Sequence, residues 1–217
     1  MSESAREAIL EAARRTAQAH GYGGLNFREI GAEVGIKAAS IYHHFPSKAD
    51  LGAAVAKRYW ENTAANLEAL SAKTGNPTKA LQAYPGLFRR SLEEDNRLCL
   101  CGFMAAEYDD LPDTVKTEVQ AFADVNVAWL TRMLAAASVP EAKCESRARA
   151  IFAAVSGAQL MARSRADLSL FDALIDSFIE SGLIPNSSAF AAPAIANSAS
   201  PAASNVINNC CGTCSND

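Results

Sequence analysis

The sequence predicts an all-α chain, and three observations predict it. Apolar residues recur at helical spacing in segment after segment, start and stop signals bracket those segments, and no credible strand stands between them. Alanine, the strongest helix former, is abundant, while the 217 residues include only 12 Gly and 8 Pro. The chain is 49% hydrophobic and 20% charged, which is enough apolar material for a buried core. No apolar run reaches the ~20 residues that a membrane span needs. The start, Met1-Ser2-Glu3-Ser4, is polar and acidic, unlike a signal peptide, so a cytoplasmic protein with reduced cysteines is expected.

Nine helices follow from the pattern. The first runs from Ser4, in capping-box spacing with Glu7, to His20. Ala5, Ile9, Ala12, Ala13 and Ala17 line one of its faces, and Gly21 supplies the stop. Asn26 and Glu29 repeat the capping spacing and open a short helix from Phe27 to Val34. A third spans Ala38 to His44, closed by Pro46, and Ser47 opens a long fourth that lasts to Gly75. Asn76-Pro77, an N-cap residue with proline at the first helical position, opens a fifth that ends near Asp95. A short sixth covers Gly102 to Tyr108. Pro112 and Pro140 start the seventh and eighth, which end near Ala137 and Ser164, and the ninth runs from Asp167 to Gly182. After Pro185 the composition turns to Ala, Ser, Asn and Pro with Asp217 as the one charge, so residues 186–217 are expected to be a disordered tail. Cys210, Cys211 and Cys214 in that tail lack a fourth ligand for a metal site.

Residues 27–44 have the layout of a helix-turn-helix, two short helices joined by a tight turn. Ile30, Val34, Ile36 and Ile41 are spaced to pack the two across each other, Gly35 permits positive φ in the turn, and Gly31 allows close approach. Lys37, Ala38, Ala39, Ser40, Tyr42, His43 and His44 are left facing outward on the third helix. Small residues there let a helix enter the major groove of DNA, and polar tips reach bases or phosphates. The net charge of −4 is unevenly spread: residues 1–64 hold eight Lys/Arg against seven Asp/Glu, and the remainder twelve against seventeen. DNA responds to the local field, so the acidic total does not exclude it.

In this stretch the chain resembles the TetR family of bacterial repressors. The matching residues are Ile9-Leu10-Glu11-Ala12-Ala13, Gly21-Tyr22, Arg28-Glu29-Ile30-Gly31, Val34-Gly35-Ile36 and the run Ser40-Ile41-Tyr42-His43-His44-Phe45-Pro46-Ser47-Lys48-Ala49-Asp50-Leu51. Asn26 departs from the family's usual Ser or Thr, and Lys37-Ala38-Ala39 from its usual Ser-x-Gly, which alters the bases read. The resemblance implies that Tyr42, Lys48 and the backbone N–H groups near Asn26 and Phe27 contact phosphates. It places Arg28, Lys37, Ser40 and His43 at base edges or their phosphates, Ala38 and Ala39 on the same face, and His44 at the helix–backbone junction. It also implies a double-stranded DNA operator, a small-molecule effector, a homodimer through the last two helices, no cofactor and no membrane partner. Residues 1–47 would be the DNA-binding module and 48–185 the regulatory bundle. Ala148, Ile151, Phe152, Val155, Ala158 and Gln159 make a small-residue face suited to the dimer contact.

Other clusters are weighed in the same way. All three histidines fall within residues 20–44, so no nucleophile, histidine and acid meet in the C-terminal half, and no enzyme is expected. His43 and His44 point to different sides of a helix with no further ligand at metal-site spacing, so no metal is expected. Cys99 and Cys101 read either as half-buried packing residues or as a thiolate sensor, its pKa lowered by a helix start and Arg97. A thiol-based redox protein using this pair is the alternative function. Glu107, Asp109 and Asp110 read as a solvated acidic face. Phe88, Phe103, Met104, Tyr108, Phe122, Trp129, Met133, Phe152 and Gln159 read as core, and by resemblance as the lining of an effector cavity.

Overall fold

The computed structural model describes residues 2–186; Met1 and the expected tail beyond Asn186, with its three cysteines, lie outside the described residues. Among the described residues every expected helix is present and no strand is. The helices are α1 (Ser2–His20), α2 (Phe27–Val34), α3 (Ala38–His44), α4 (Lys48–Thr74), α5 (Pro77–Ala83), α6 (Gly86–Glu93), α7 (Leu100–Ala106), α8 (Asp113–Ala136), α9 (Glu141–Arg165) and α10 (Leu168–Glu180). A 3₁₀ turn, Tyr108–Asp110, follows α7.

Side-chain caps set four of the ten described α-helix starts, all at residues where the sequence placed a start. Asn26 Oδ1 accepts from the N–H of Arg28 at 2.8 Å, Ser47 Oγ from Asp50 at 3.1 Å, Asn76 Oδ1 from Lys79 at 2.9 Å and Asp167 Oδ1 from Ser169 at 2.9 Å. Ser4 is the exception, since α1 begins at Ser2 and Ser4 lies inside it. The segment expected as one fifth helix is kinked into α5 and α6. Pro85 has no N–H to give, and the ladder resumes with Phe88 and Arg89 both donating to the Pro85 carbonyl at 3.0 Å.

Two layers share one core. α1, α2 and α3 close around Ile9, Ala13, Ala17, Leu25, Phe27, Ile30, Ile41 and Phe45, all buried. α4 packs along α8, α8 along α9 and α9 along α10, while α5, α6 and α7 fill the sides. Tyr84, fully buried, donates its hydroxyl to Asn126 Oδ1 at 2.9 Å, and Asn126 Nδ2 donates to the Phe122 carbonyl at 2.8 Å. Trp129 Nε1 donates to Ser71 Oγ at 2.9 Å. These bonds satisfy polar groups that would otherwise be costly to bury.

The face of α9 expected to meet a partner is turned inward instead. Ala148, Ile151, Val155, Ala158 and Gln159 are buried in the core of this chain, and Phe152 is half-buried against Phe88 and Phe122. Small and apolar residues suit both a core face and a contact face, and only half a turn of helix separates the two. The exposed stripe is the opposite one, Ala153, Gly157, Leu160 and Met161, with Leu160 57% and Met161 49% accessible. Removing the Tyr84 hydroxyl would strand the Asn126 oxygen. Tyr84→Phe is expected to destabilise the chain by about 1–3 kcal/mol, read from the urea midpoint at unchanged slope.

Candidate nucleic-acid interface and regulatory interior

The turn between α2 and α3 has the geometry its residues require. Gly35 stands at φ 78° and ψ 28°, left-handed backbone that costs glycine least. The Ile36 N–H returns to the Gly31 carbonyl at 2.8 Å, which aims α3 across α2. Ile41 is the buried anchor of α3, so its other face is left to solvent. Lys37, Ala39, Ser40, Tyr42 and His43 are exposed there, Ala38 and His44 are half-buried, and Tyr42 is 56% accessible.

Six of the eleven residues expected to meet DNA converge on one concavity of about 540 Å³. Asn26, Phe27, Arg28, Ala38, Tyr42 and Lys48 line it, together with Leu25. The Tyr42 ring leans on Phe27 at 4.6 Å between centroids while the residue stays exposed. Lys48 Nζ donates to the Gly23 carbonyl at 2.9 Å and lies 4.8 Å from the Tyr22 ring centroid. Asn26 takes the amides of Arg28 and Glu29, and the Phe27 N–H, first in the helix, has no acceptor within it. The concavity thus offers an ammonium, a phenol and the positive end of a helix, the groups that bind a phosphate oxygen. Lys37, Ala39, Ser40 and His43 flank it along α3. Among the described residues no cluster of three or more His, Cys, Asp or Glu could hold a metal ion.

Known proteins carry the same architecture. Residues 9–55 match the family described as bacterial regulatory proteins, tetR family, and residues 77–177 match the C-terminal domain of LmrA/YxaF-like transcriptional regulators. A TetR-family regulator from Agrobacterium tumefaciens is 31% identical over 83% of this chain and 98% of its own, with a TM-score of 0.78. The chain belongs to the TetR family. A second TetR regulator, from Legionella pneumophila, is 28% identical over 81% of this chain and 95% of its own, with a TM-score of 0.76. The reduced form of E. coli NemR, 21% identical, shares the fold over 81% of this chain and 96% of its own at a TM-score of 0.71. No curated protein matches the chain. TetR-family proteins are DNA-binding transcriptional regulators and not enzymes, and no described helix here is long and apolar enough to cross a membrane.

The residues expected from the sequence to line an effector cavity fall into two groups in the bundle. Phe122, Phe152 and Trp129 come together with Tyr59, Tyr84 and Phe88. Tyr59–Phe122, Tyr84–Phe88 and Tyr84–Trp129 centroids are 5.6, 5.5 and 5.7 Å apart. Gln159 joins them, donating to the Phe88 carbonyl at 2.8 Å and accepting from the Cys99 N–H at 3.1 Å. Met104 is buried on α7. Phe103, Tyr108 and Met133 are not part of this group. Phe103 lies under the Arg163 guanidinium, Tyr108 is exposed under Lys116, and Met133 touches Ser71. Sequence reasoning missed Tyr59, Tyr84 and Asn126, whose helical spacing is that of ordinary core.

Cys99 and Cys101 do not have the environment expected of a sensor thiolate. Both are buried, and burial pushes the Cys99 thiol up to about 11 and Cys101 well above its ordinary value. A bond from the Gly102 amide opposes this at Cys99 but is the smaller effect. Arg97 turns away to Asp95, 3.9 Å distant. Unfolding frees these thiols to ionise near 9, while the folded chain keeps Cys99 protonated to about 11, so the unfolded state sheds protons first. The contribution of Cys99 to stability should therefore be level below pH 9 and fall as pH climbs from 9 to 11, a trend that thermal unfolding across that range will read. With Cys210, Cys211 and Cys214 changed to Ser, the remaining thiols should react with a disulfide reagent at pH 8 far more slowly than a free thiol, until denaturant is added.

Proposed function

We propose that this regulator is a homodimeric repressor, released from a double-stranded DNA operator when a small-molecule effector enters the bundle. The observation that carries the reading is the convergence of Tyr42, Lys48 and the start of α2 on one concavity beside the exposed face of α3. Residues 1–47 act as the DNA-binding module and 48–185 as the regulatory bundle. In this reading Tyr42, Lys48 and the Phe27 N–H, placed by the Asn26 cap, hold a backbone phosphate. Lys48 spends one of its three N–H donors on Gly23 and keeps the others. Arg28, Lys37, Ser40 and His43 reach base edges or neighbouring phosphates, Ala38 and Ala39 allow close approach, and His44 packs at the junction.

The partner is a second copy joined through α9 and α10. The exposed stripe of Leu160 and Met161 supports this, since adjacent apolar side chains of that size gain by pairing about a two-fold axis. Such a dimer sets its two α3 helices ~34–36 Å apart, one turn of DNA. For the effector, a groove of about 200 Å³ between α1, α4 and α6 opens on Tyr59, whose ring touches Phe122 in the aromatic interior. The burial of Cys99 and Cys101 favours such a ligand over thiol modification. The effector must bind the released form more tightly, or it shifts nothing. A cytoplasmic location goes with this role.

Selection of bound fragments from random DNA, followed by mobility shift, tests the proposal. The expected operator is an inverted repeat whose affinity falls steeply with salt. Tyr42→Ala and Lys48→Ala should each weaken binding by about tenfold, and Lys48→Ala should lower the salt slope by about one. Unaltered affinity of the double variant overturns the assignment of these contacts.

A further inference from the structure

We propose that Glu107 is a positioning residue that fixes the DNA-binding module on the bundle, and so sets the separation of the two α3 helices in the dimer. The inference rests on the DNA-binding, dimeric reading above. Glu107 follows α7 directly. Its Oε2 accepts from the Tyr22 N–H at 2.6 Å and its Oε1 from the Gly23 N–H at 3.3 Å. One carboxylate thus closes on two consecutive amides of the α1–α2 loop, 84 and 85 residues away in sequence. Bonds from amides to an ionised carboxylate are among the stronger ones available to a protein.

The loop is shaped to receive it. Gly21 stands at φ 68°, and a Cβ there would overlap the Glu107 carboxylate. The missing side chain is therefore the seat. From its other side the same loop is held by Lys48, through the Gly23 carbonyl and the Tyr22 ring. Glu107 and the phosphate-binding lysine thus grip a single tripeptide. The other end of α7 is tied to the same part of α1, where Gln18 Nε2 donates to the Leu98 carbonyl at 3.2 Å in a buried bond. Between these ties α7 buries Leu100, Cys101 and Met104 in the bundle. Asp109 and Asp110 are exposed and take no part in the clasp. A displacement of α7 would reach the module through Glu107 and Gln18.

The test uses the full-length chain and the operator fragment selected by the wild type. A series of that fragment has its half-sites moved one to three base pairs apart, and a single half-site serves as control. Wild type should discriminate sharply among spacings. Glu107→Ala should lose about tenfold of that preference and bind the single half-site as wild type does. Glu107→Gln keeps the shape and one acceptor, so it should fall between the two and guards against misfolding as the cause. Faster hydrogen exchange of the Tyr22 and Gly23 amides in both variants is expected as well. Wild-type spacing preference in Glu107→Ala overturns the inference, and so does an equal loss on the single half-site. If the wild type itself selects no DNA, the DNA-binding reading fails first and the inference falls with it.

Discussion

Where α4 passes beneath the α1–α2 loop, Gly52 leaves no room for a side chain. A Cβ there would stand 2.7 Å from Tyr22 Cε2 and 3.2 Å from Val115 Cγ2. Three parts of the molecule meet at this contact: the loop that follows α1, the long α4, and the start of α8. Leu51 and Val55, beside Gly52 on α4, are buried, and side chains like these each contribute on the order of 1.5–3 kcal/mol when taken out of water. The concavity that gathers Tyr42 and Lys48 is in register with the bundle because this contact brings the loop down onto α4. Packing alone is not directional, and the Glu107 and Lys48 bonds to the same loop supply the direction.

Deeper in the bundle a different set of interactions fixes one arrangement out of many. An aromatic interior can pack in several ways at similar energy, but a buried amide cannot lose its partners. Asn126 demands Tyr84, and Gln159 demands both the Phe88 carbonyl and the Cys99 amide. α8 is thereby tied to the end of α5, and α9 to α6 and to the entry of α7. The same crowding that makes these bonds stringent keeps Cys99 and Cys101 in the thiol form.

The sequence was most legible where the physics is local. Asn26, Ser47, Asn76 and Asp167 announce helix starts because a cap needs only its next three residues, and Gly35 announces the turn because its φ does. The outward set on α3 could be read once Ile41 was recognised as its anchor. What depends on distant residues was harder to read. Pro85 bends a segment that otherwise reads as one helix. Glu107 looks like its solvated neighbours Asp109 and Asp110 until the loop at Gly21 is folded against it. A helix start expected at Gly102 argued for a reactive thiol at Cys99 or Cys101, but desolvation by the surrounding bundle is the larger effect. On α9 both faces are rich in small and apolar residues, so nothing in the spacing told the core face from the exposed one.

α4 is one unbroken helix of 27 residues, about 40 Å from end to end. Its stiffness makes it a lever. A tilt of roughly 5° pivoting near Thr74 carries the Ser47 end through about 3.5 Å, by the length such a helix has. That is comparable to the rise of one base pair. In the proposed reading, a shift of packing by fractions of an ångström near the far end is enough to move the reading head by a whole step of its track.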